Sequence, residues 1–263
     1  MILLSFDIEE FDTPAEYGVT LSVEEQMRLS VEGVERLLAI LKKHDVPATF
    51  FCTANFALRA PAILLEMKKR GYEIASHGYN HSSFSPEDLK KSKEVLERLT
   101  GLPVTGYRMA RMMPVSDAEV ERAGYRYNSS LNPAFVPGRY YNLNKPRRWF
   151  YTGKVLQIPA SVTPCVRFPL FWLSFHHLPF PVYRFLALRT LKHDGYLNLY
   201  FHPWEFIELG KMKELKLPFL ITNQSGRKMI KRLDAFIACF KQRGERFGTF
   251  SSFIEEIVEH KCV

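Results

Sequence analysis

The chain has 263 residues, of which 46% are hydrophobic, and this is enough for the large core of one α/β domain. Its formal net charge of +8 fits either an anionic partner or a modestly basic soluble protein. No strand leads into a glycine-rich phosphate loop and no apolar run reaches about 18 residues. These absences exclude nucleotide-binding folds and membrane-spanning helices, and we expect no nucleic acid as a partner.

The hydrophobic pattern predicts strands and helices that alternate about seven times along the chain. Apolar runs typical of buried strands lie at 2–7, 47–53, 72–76, 104–109, 125–127, 154–159, 196–201 and 248–250. Helical spacing or helix-capping residues mark 31–41, 60–70, 85–99, 116–124, 182–191, 226–243 and 251–259, with Ser30 as the first cap. This alternation predicts parallel βαβ units and favours a barrel or near-barrel over an open sheet.

Regular patterning fails between about 131 and 180, a segment rich in Pro, Arg and aromatic residues. We expect a single domain over 1–263 with this segment as an irregular insertion, because no repeat or linker divides the chain. The four cysteines, Cys52, Cys165, Cys239 and Cys262, lack metal or disulfide spacing and are expected to be reduced. The N-terminus has no basic region before an apolar core, so we expect a cytoplasmic protein.

Polar side chains stand where three apolar strands end, which is where an α/β barrel gathers its chemistry. Asp7 and Glu9 end the first strand, His77 and His81 follow the strand at 72–76, and His202 follows the strand at 196–201. Two imidazoles four residues apart and one carboxylate can hold a metal ion and leave a position open. Asp7, Glu9, His77 and His81 could therefore supply a metal site and a general base together.

These motifs resemble those of the polysaccharide deacetylases, which are carbohydrate esterase family 4 with the NodB-homology domain, in the branch whose first motif reads Phe-Asp-x-Glu. The motifs here, in the family's order, are Phe6-Asp7-Ile8-Glu9, His77-Gly-Tyr-Asn-His81, Tyr107-Arg108 and Tyr200-Phe201-His202. The resemblance implies an α/β fold, a distorted (β/α)7 barrel of NodB-homology type. It also implies a metal-dependent hydrolase that removes N-acetyl groups from a carbohydrate.

The resemblance further implies a role for individual residues. Asp7 would be the general base, Arg108 would orient it and His202 would be the general acid. A divalent ion, expected to be zinc, would be held by three side chains, Glu9, His77 and His81, with Glu10 as the alternative carboxylate. Strand alternation supports Glu9, because Asp7 and Glu9 would point to the same side of the strand.

Two departures from the family's pattern affect the expected site. Arg108-Met-Ala-Arg111 stands in place of Arg-x-Pro, which predicts a differently shaped loop after Arg108. The backbone amide of the residue that follows Arg108 is the expected oxyanion donor. Asn128 lies where an Asp that supports the catalytic histidine is expected, and it could orient His202 without adding charge. Arg111, Trp204 and Tyr107 are the expected substrate contacts, with Arg111 reaching an anionic group of the substrate.

Two alternatives to a deacetylase remain open at this point. One is a non-catalytic glycan-binding relative, and the other is an amidohydrolase or O-deacetylase with a different substrate. The aromatic segment at 163–190 has few acids and could be a wall of the cleft, a dimer face or a patch that contacts the inner face of a membrane. Its histidines, His176 and His177, are interpreted as structural.

Overall fold

The structure is a computed structural model that describes residues 1–259. Its strands are Ile2–Ile8 (β1), Thr49–Cys52 (β2), Glu73–Ser76 (β3), Gly106–Tyr107 (β4), Tyr127–Asn128 (β5), Phe135–Val136 (β6), Tyr140–Tyr141 (β7), Phe150–Thr152 (β8), Val155–Gln157 (β9), Leu197–Phe201 (β10) and Phe247–Gly248 (β11). Its α-helices are Val23–His44 (α1), Ala54–Arg59 (α2), Pro61–Lys69 (α3), Pro86–Thr100 (α4), Asp117–Arg122 (α5), Trp172–His177 (α6), Phe180–Asp194 (α7), Phe219–Thr222 (α8), Arg227–Gln242 (α9) and Phe250–Glu259 (α10). Short 3₁₀ segments connect several of them, including Thr13–Tyr17, Ala110–Met112 and Pro203–Phe206.

The main sheet is curled and places most of its strands in parallel. Within residues 1–259, the order β10-β1-β2-β3-β4-β5-β9 contains seven parallel strands, and β8 adds an antiparallel edge. The short β11 pairs with the start of β1. This topology confirms the predicted α/β fold of the distorted barrel type, because the helices between the strands cover the outside of the curl.

The seam of the curl lies between β9 and β10, where side-chain hydrogen bonds take over from the backbone ladder. The buried Asn198 amide donates to the carbonyl oxygens of Ile158 (3.2 Å) and Pro159 (3.0 Å). Ser161 N–H donates to Asn198 O at 3.0 Å, and Asn198 N–H donates to Ser161 Oγ at 2.8 Å. These bonds bring the two ends of the parallel set together, so the C-terminal tips of all its strands face one opening.

Alternation along β1 decides which side chains reach that opening. Ile2, Leu4, Phe6 and Ile8 pack in the large core between the sheet and the helices, whereas Leu3 packs in the smaller core inside the curl. Odd-numbered residues of β1 therefore face the interior. Asp7, which is on the same side as Leu3, lies at the interior tip of the strand.

Some predicted elements differ from those observed. Helix α1 begins at Val23 with Ser22 as its cap, and Glu25 N–H donates to Ser22 Oγ at 3.2 Å. Ser30, predicted to be the cap, lies inside α1, where its buried hydroxyl donates to the carbonyl oxygen of Glu9 at 2.7 Å. The helix predicted over 60–70 is α3, but the separate short helix α2, which precedes it and is capped by Thr53, was not predicted.

The aromatic-rich segment 131–180 contains the β6–β7 hairpin, the β8–β9 hairpin and α6. In the described part of the chain, no helix is long and apolar enough to cross a membrane. Cys52, Cys165 and Cys239 are free thiols, and Cys262 lies outside the described residues.

Candidate active site

Three side chains converge at the tips of β1 and β3 and could hold a metal ion. Glu9 Oε2 lies 3.2 Å from His77 Nε2 and 3.0 Å from His81 Nε2, and all three residues are buried. Within the described chain, Glu9 Oε2 and His77 Nε2 have no hydrogen-bond partner. Buried polar atoms without partners are costly, and a cation between them would satisfy both. The His₂-carboxylate set therefore fits a divalent metal ion.

The outer nitrogen of each histidine contacts an oxygen atom that orients the ring. His77 Nδ1 lies 2.9 Å from the carbonyl oxygen of Arg108, which only accepts, so His77 carries its hydrogen on Nδ1. His81 Nδ1 lies 2.6 Å from Asp12 Oδ1. Burial acts to lower the pKa of His81, but the carboxylates of Glu9 and Asp12 outweigh it and raise that pKa to about 9. Such outer partners orient metal-binding histidines.

Asp12 was missed at the sequence level, because it lies in a loop without periodic signal. Besides His81, it accepts a short hydrogen bond from Ser82 Oγ and contacts Arg111 Nη2 at 3.4 Å. Arg111 also forms a close ion pair with Glu16. Arg111 lines the cleft. Its charge, however, is paired with two carboxylates, so it supports Asp12 and is not a free cation for substrate.

Asp7 and Arg108 form a buried ion pair next to the Glu9–His77–His81 cluster. Arg108 Nη1 donates to Asp7 Oδ1 at 2.6 Å, and its other nitrogens donate to Ser129 O (3.2 Å) and Ser129 Oγ (3.0 Å). Its guanidinium lies 4.0 Å above the Phe51 ring. Burial acts to raise the pKa of Asp7, but Arg108 and the nearby histidines outweigh it, so that pKa lies below its ordinary value. Asp7 is thus ionised and fixed in orientation.

His202 lies on the other side of Asp7, with its ring partly exposed to the cleft. Its Nε2 is 3.9 Å from Asp7 Oδ2, and its Nδ1 is 3.0 Å from Glu205 Oε1. Trp204 stacks on the imidazole with ring centroids 4.9 Å apart. Burial acts to lower the pKa of His202, but the hydrogen bond to Glu205 and the charges of Glu9 and Asp7 raise it above its ordinary value. His202 is therefore biased towards its protonated form.

Helix α1 contacts both halves of the site. Ser30 holds the backbone of Glu9, as described above. One turn further on, Gly33 lies directly against Pro203, next to His202. A Cβ atom at position 33 would lie only 2.1 Å from the carbonyl oxygen of Pro203. Only glycine allows this approach, so α1 fixes the spacing between the tips of β1 and β10.

Two expected site contacts are replaced by others in the structure. The side chain that supports His202 is Glu205, whereas the Asn128 oxygen accepts a short hydrogen bond from Ser130. Glu205 lies three positions after His202 on the turn after β10, which lets its carboxylate reach back to the imidazole. The Met109 N–H, expected to be an oxyanion donor, already donates to Ser130 Oγ at 2.8 Å.

Tyr107 and Glu10 do not face the site. Tyr107 is fully buried in the core between sheet and helices, because neighbouring residues of β4 point to opposite sides and Arg108 takes the inner one. Its predicted contact with substrate is therefore wrong. Glu10 accepts hydrogen bonds from Thr53 and Asn55, so its carboxylate is turned away from the metal-binding cluster.

A cleft with a volume of about 220 Å³ opens over the site. Asp7, Glu9, His81 and His202 line this cleft, and Trp204 is also among its lining residues although only 4% of it is exposed. The aromatic side chains on its walls are Tyr17, Tyr140, Phe171, Trp172 and Tyr200. Flat apolar walls around a few polar groups are typical of a pocket for one small ring-shaped group.

The fold and site together define an α/β barrel in which a glutamate, two histidines and a buried Asp–Arg pair meet at the strand tips. Residues 11–127 match the family model described as polysaccharide deacetylase, which confirms the resemblance inferred from the sequence motifs. The match includes His77, His81 and Arg108. Asp7 and Glu9 precede it and His202 follows it.

Comparison with curated proteins gives related enzymes over part of the chain. The peptidoglycan deacetylase of Helicobacter pylori is 32% identical over 146 residues, which cover 51% of this chain and 48% of that protein. The chain spans about half the length, or less, of the curated relatives it matches.

Solved structures share the fold over nearly the whole chain. A Mycobacterium smegmatis protein assigned to the polysaccharide deacetylases has a TM-score of 0.67 at 21% identity, covering 100% of this chain and 91% of that one. The PuuE allantoinase has a TM-score of 0.65 at 18% identity, covering 95% and 88%. A family pseudoenzyme from Bacillus anthracis has a TM-score of 0.52 at 14% identity, covering 96% and 64%. At these identities the likeness shows the fold alone.

Proposed function

We propose that this chain is a metal-dependent hydrolase that removes N-acetyl groups from a carbohydrate. The observation that carries the proposal is the placement of Asp7, ionised and held by Arg108, between the Glu9–His77–His81 cluster and His202. An acid–base pair on two sides of a candidate metal position suits hydrolysis of an amide. Similarity to a peptidoglycan deacetylase supports an acetylated sugar as the substrate.

Each residue then has a defined task. Zinc held by Glu9, His77 and His81 would supply Lewis-acid chemistry when bound, by acidifying a water and polarising a carbonyl. Asp7 accepts a proton from the water that attacks the acetyl carbon, and Arg108 keeps Asp7 ionised and oriented. His202 donates a proton to the sugar nitrogen as the carbon–nitrogen bond breaks, which releases acetate and a free amine.

Acetate release tests the proposal directly. We expect the purified chain, loaded with zinc alone, to release acetate from N-acetylated chitooligosaccharides or peptidoglycan fragments. Asp7→Asn should reduce the rate by about 100-fold or more, because the base is lost. Asp234→Asn, a surface aspartate paired with Lys43, is the matched control and should leave the rate unchanged.

The same assay separates the alternatives. Tight sugar binding by the zinc-loaded chain without acetate release would support a non-catalytic glycan-binding protein. Hydrolysis of ureides or sugar O-acetyl esters, with no activity on N-acetyl groups, would support an amidohydrolase or O-deacetylase. The intact set of Asp7, Arg108 and a charge-supported His202 favours catalysis over binding alone.

We further propose peripheral contact with an anionic membrane surface, through a rim formed by residues 135–145 and 163–168. The two parts are joined by Arg167, which donates to the carbonyl oxygen of Lys145 at 2.7 Å. Phe135, Tyr141 and Val166 are 52%, 66% and 79% exposed on this rim. Residues 122–193 contain 11 Lys or Arg and no Asp or Glu, so exposed apolar groups stand in a basic setting.

Vesicle flotation tests this contact. We expect the chain to float with vesicles of anionic phosphatidylglycerol at low salt and to be released by high salt, and not to float with neutral vesicles. Replacing Phe135 and Tyr141 by serine should weaken flotation. Leu65→Ser, at a residue 50% exposed on α3, is the control. Absence of binding to anionic vesicles at low salt would rule the contact out.

A further inference from the structure

A buried histidine on α6 reaches the proposed acid through one carboxylate. His176 Nε2 lies 2.7 Å from Glu205 Oε2, and the other oxygen of Glu205 lies 3.0 Å from His202 Nδ1. His176 is 1% exposed and Glu205 is fully buried. Neither residue lines the cleft, so a role for His176 must act through Glu205.

The hydrogen positions follow from the partners. Burial acts to raise the pKa of Glu205, but His176 and His202 outweigh it, so that pKa lies below its ordinary value and the carboxylate is ionised. Each carboxylate oxygen only accepts, so the hydrogens lie on His176 Nε2 and His202 Nδ1. In the described chain, His176 Nδ1 is buried without a partner, as a bare lone pair would be. A hydrogen there would be an unsatisfied buried donor, so His176 is neutral.

The position of Glu205 Oε1 does not depend on His176 alone. The backbone N–H of His202 also donates to it, at 2.6 Å, so this oxygen is held twice by the same residue. Glu205 Oε2 has His176 as its partner. Trp172 packs edge-on against the rings of both His176 and His202, with centroids 5.7 and 5.8 Å away, which fixes the two imidazoles relative to each other.

We propose that His176 is a positioning residue that donates a hydrogen bond to one oxygen of Glu205 and orients the carboxylate, so that the other oxygen fixes the Nδ1–H tautomer and the acidity of His202. This inference rests on the proposed function in that it takes His202 to be the general acid. With the tautomer fixed, Nε2 of His202, the nitrogen nearer Asp7, is the one that gains and loses the catalytic proton.

The sign of the effect follows from the charges around His202. The carboxylates that face it are Glu205, Glu9 and Asp7, and the histidine that shares Glu205 is His176. Removing the His176 donor leaves more of the Glu205 charge to act on His202. His202 should then hold its proton more tightly and give it up less readily.

Imidazole NMR of isotope-labelled protein tests the inference without an activity assay. In the unmodified chain we expect the Nε2–H tautomer for His176 and the Nδ1–H tautomer for neutral His202. In His176→Leu the pKa of His202 should rise by about one unit. His176→Gln, which keeps an N–H donor, should restore most of the original value. His177→Gln, at the adjacent residue that instead contacts the Leu220 carbonyl, is the matched control.

Activity then provides a second readout. If acetate release is found, the alkaline limb of the pH–rate profile should shift to higher pH in His176→Leu, with KM unchanged. An Nδ1–H or protonated His176 in the unmodified chain would overturn the inference even if the variants fail to fold. So would an unchanged His202 pKa in folded His176→Leu. Absence of acetate release with the expected tautomers would contradict the proposed function and leave the His176–Glu205–His202 network standing.

Discussion

Removal of Asp12 should weaken zinc binding although Asp12 is not itself a ligand. Its carboxylate lies 2.6 Å from His81 Nδ1, only 13% of its side chain is exposed, and Ser82 and Arg111 hold it in place. Outer carboxylates of this kind contribute about 10- to 100-fold to metal affinity. That corresponds to about 1.4–2.7 kcal/mol. We expect a loss of this size in Asp12→Ala and about half the free-energy loss in Asp12→Asn, which keeps a neutral acceptor.

Competition between metal-free protein and a fluorescent zinc chelator, at one neutral pH, measures these losses. Glu16→Gln is the control, because Glu16 shares Arg111 with Asp12 but does not contact His81. Its zinc affinity should match that of the unmodified chain. An Asp12→Ala protein that binds zinc as tightly as the unmodified chain would refute the reasoning. Equal losses in Asp12→Ala and Glu16→Gln would assign the effect to the loop as a whole.

Three further predictions concern stability. Gly33→Ala should cost about 1–3 kcal/mol of unfolding free energy and lower activity, because its methyl group would meet the Pro203 carbonyl. Gly210→Ala is the control and should keep the stability of the unmodified chain, because its methyl group would lie 3.5 Å from the nearest atom. Equal denaturation midpoints for the two variants would contradict this prediction. Asn198→Ala should cost about 2–4 kcal/mol by opening the barrel seam, and an unchanged urea midpoint would contradict that. The lowered pKa of Glu205 stabilises the fold above its ordinary pKa of 4.5, so Glu205→Gln should melt lower at neutral pH. The difference in melting temperature between Glu205→Gln and the unmodified chain should narrow as the pH falls below 4.5. A difference that does not depend on pH would contradict the lowered pKa of Glu205.

The sequence predicted those site residues that end apolar strands. Asp7, His77, Arg108 and His202 follow runs whose burial is evident from composition, and parallel strands bring their C-terminal ends to one opening. The predicted contact of Tyr107 with substrate could have been rejected from the sequence. Neighbouring residues of a strand face opposite sides, so Tyr107 and Arg108 cannot both face the site.

Residues on loops and on the short helix α6 could not be predicted in this way. Asp12, Glu205 and His176 acquire their roles only through contacts between distant segments, and no local period marks them. Asn128 was expected to support His202 from its place in the chain. The support comes instead from Glu205, since a turn after β10 folds a nearby carboxylate back on the imidazole. The start of α1 was misplaced because the buried Ser30 looks like a cap when its contact with Glu9 is unknown.

Because of the contacts of α1, we expect that the proposed enzyme cannot be shortened to an active fragment. The stretch matched by the family model supplies the two histidines proposed to bind metal and Arg108. His202, the proposed proton donor, lies 75 residues after that stretch ends. Helix α1 contacts Glu9 through Ser30 and Pro203 through Gly33. It therefore fixes the distance between the proposed proton donor and the proposed base. A fragment cut after residue 127 would keep the ion-binding half and lose turnover. Two co-expressed fragments would regain it only by rebuilding the Gly33–Pro203 contact.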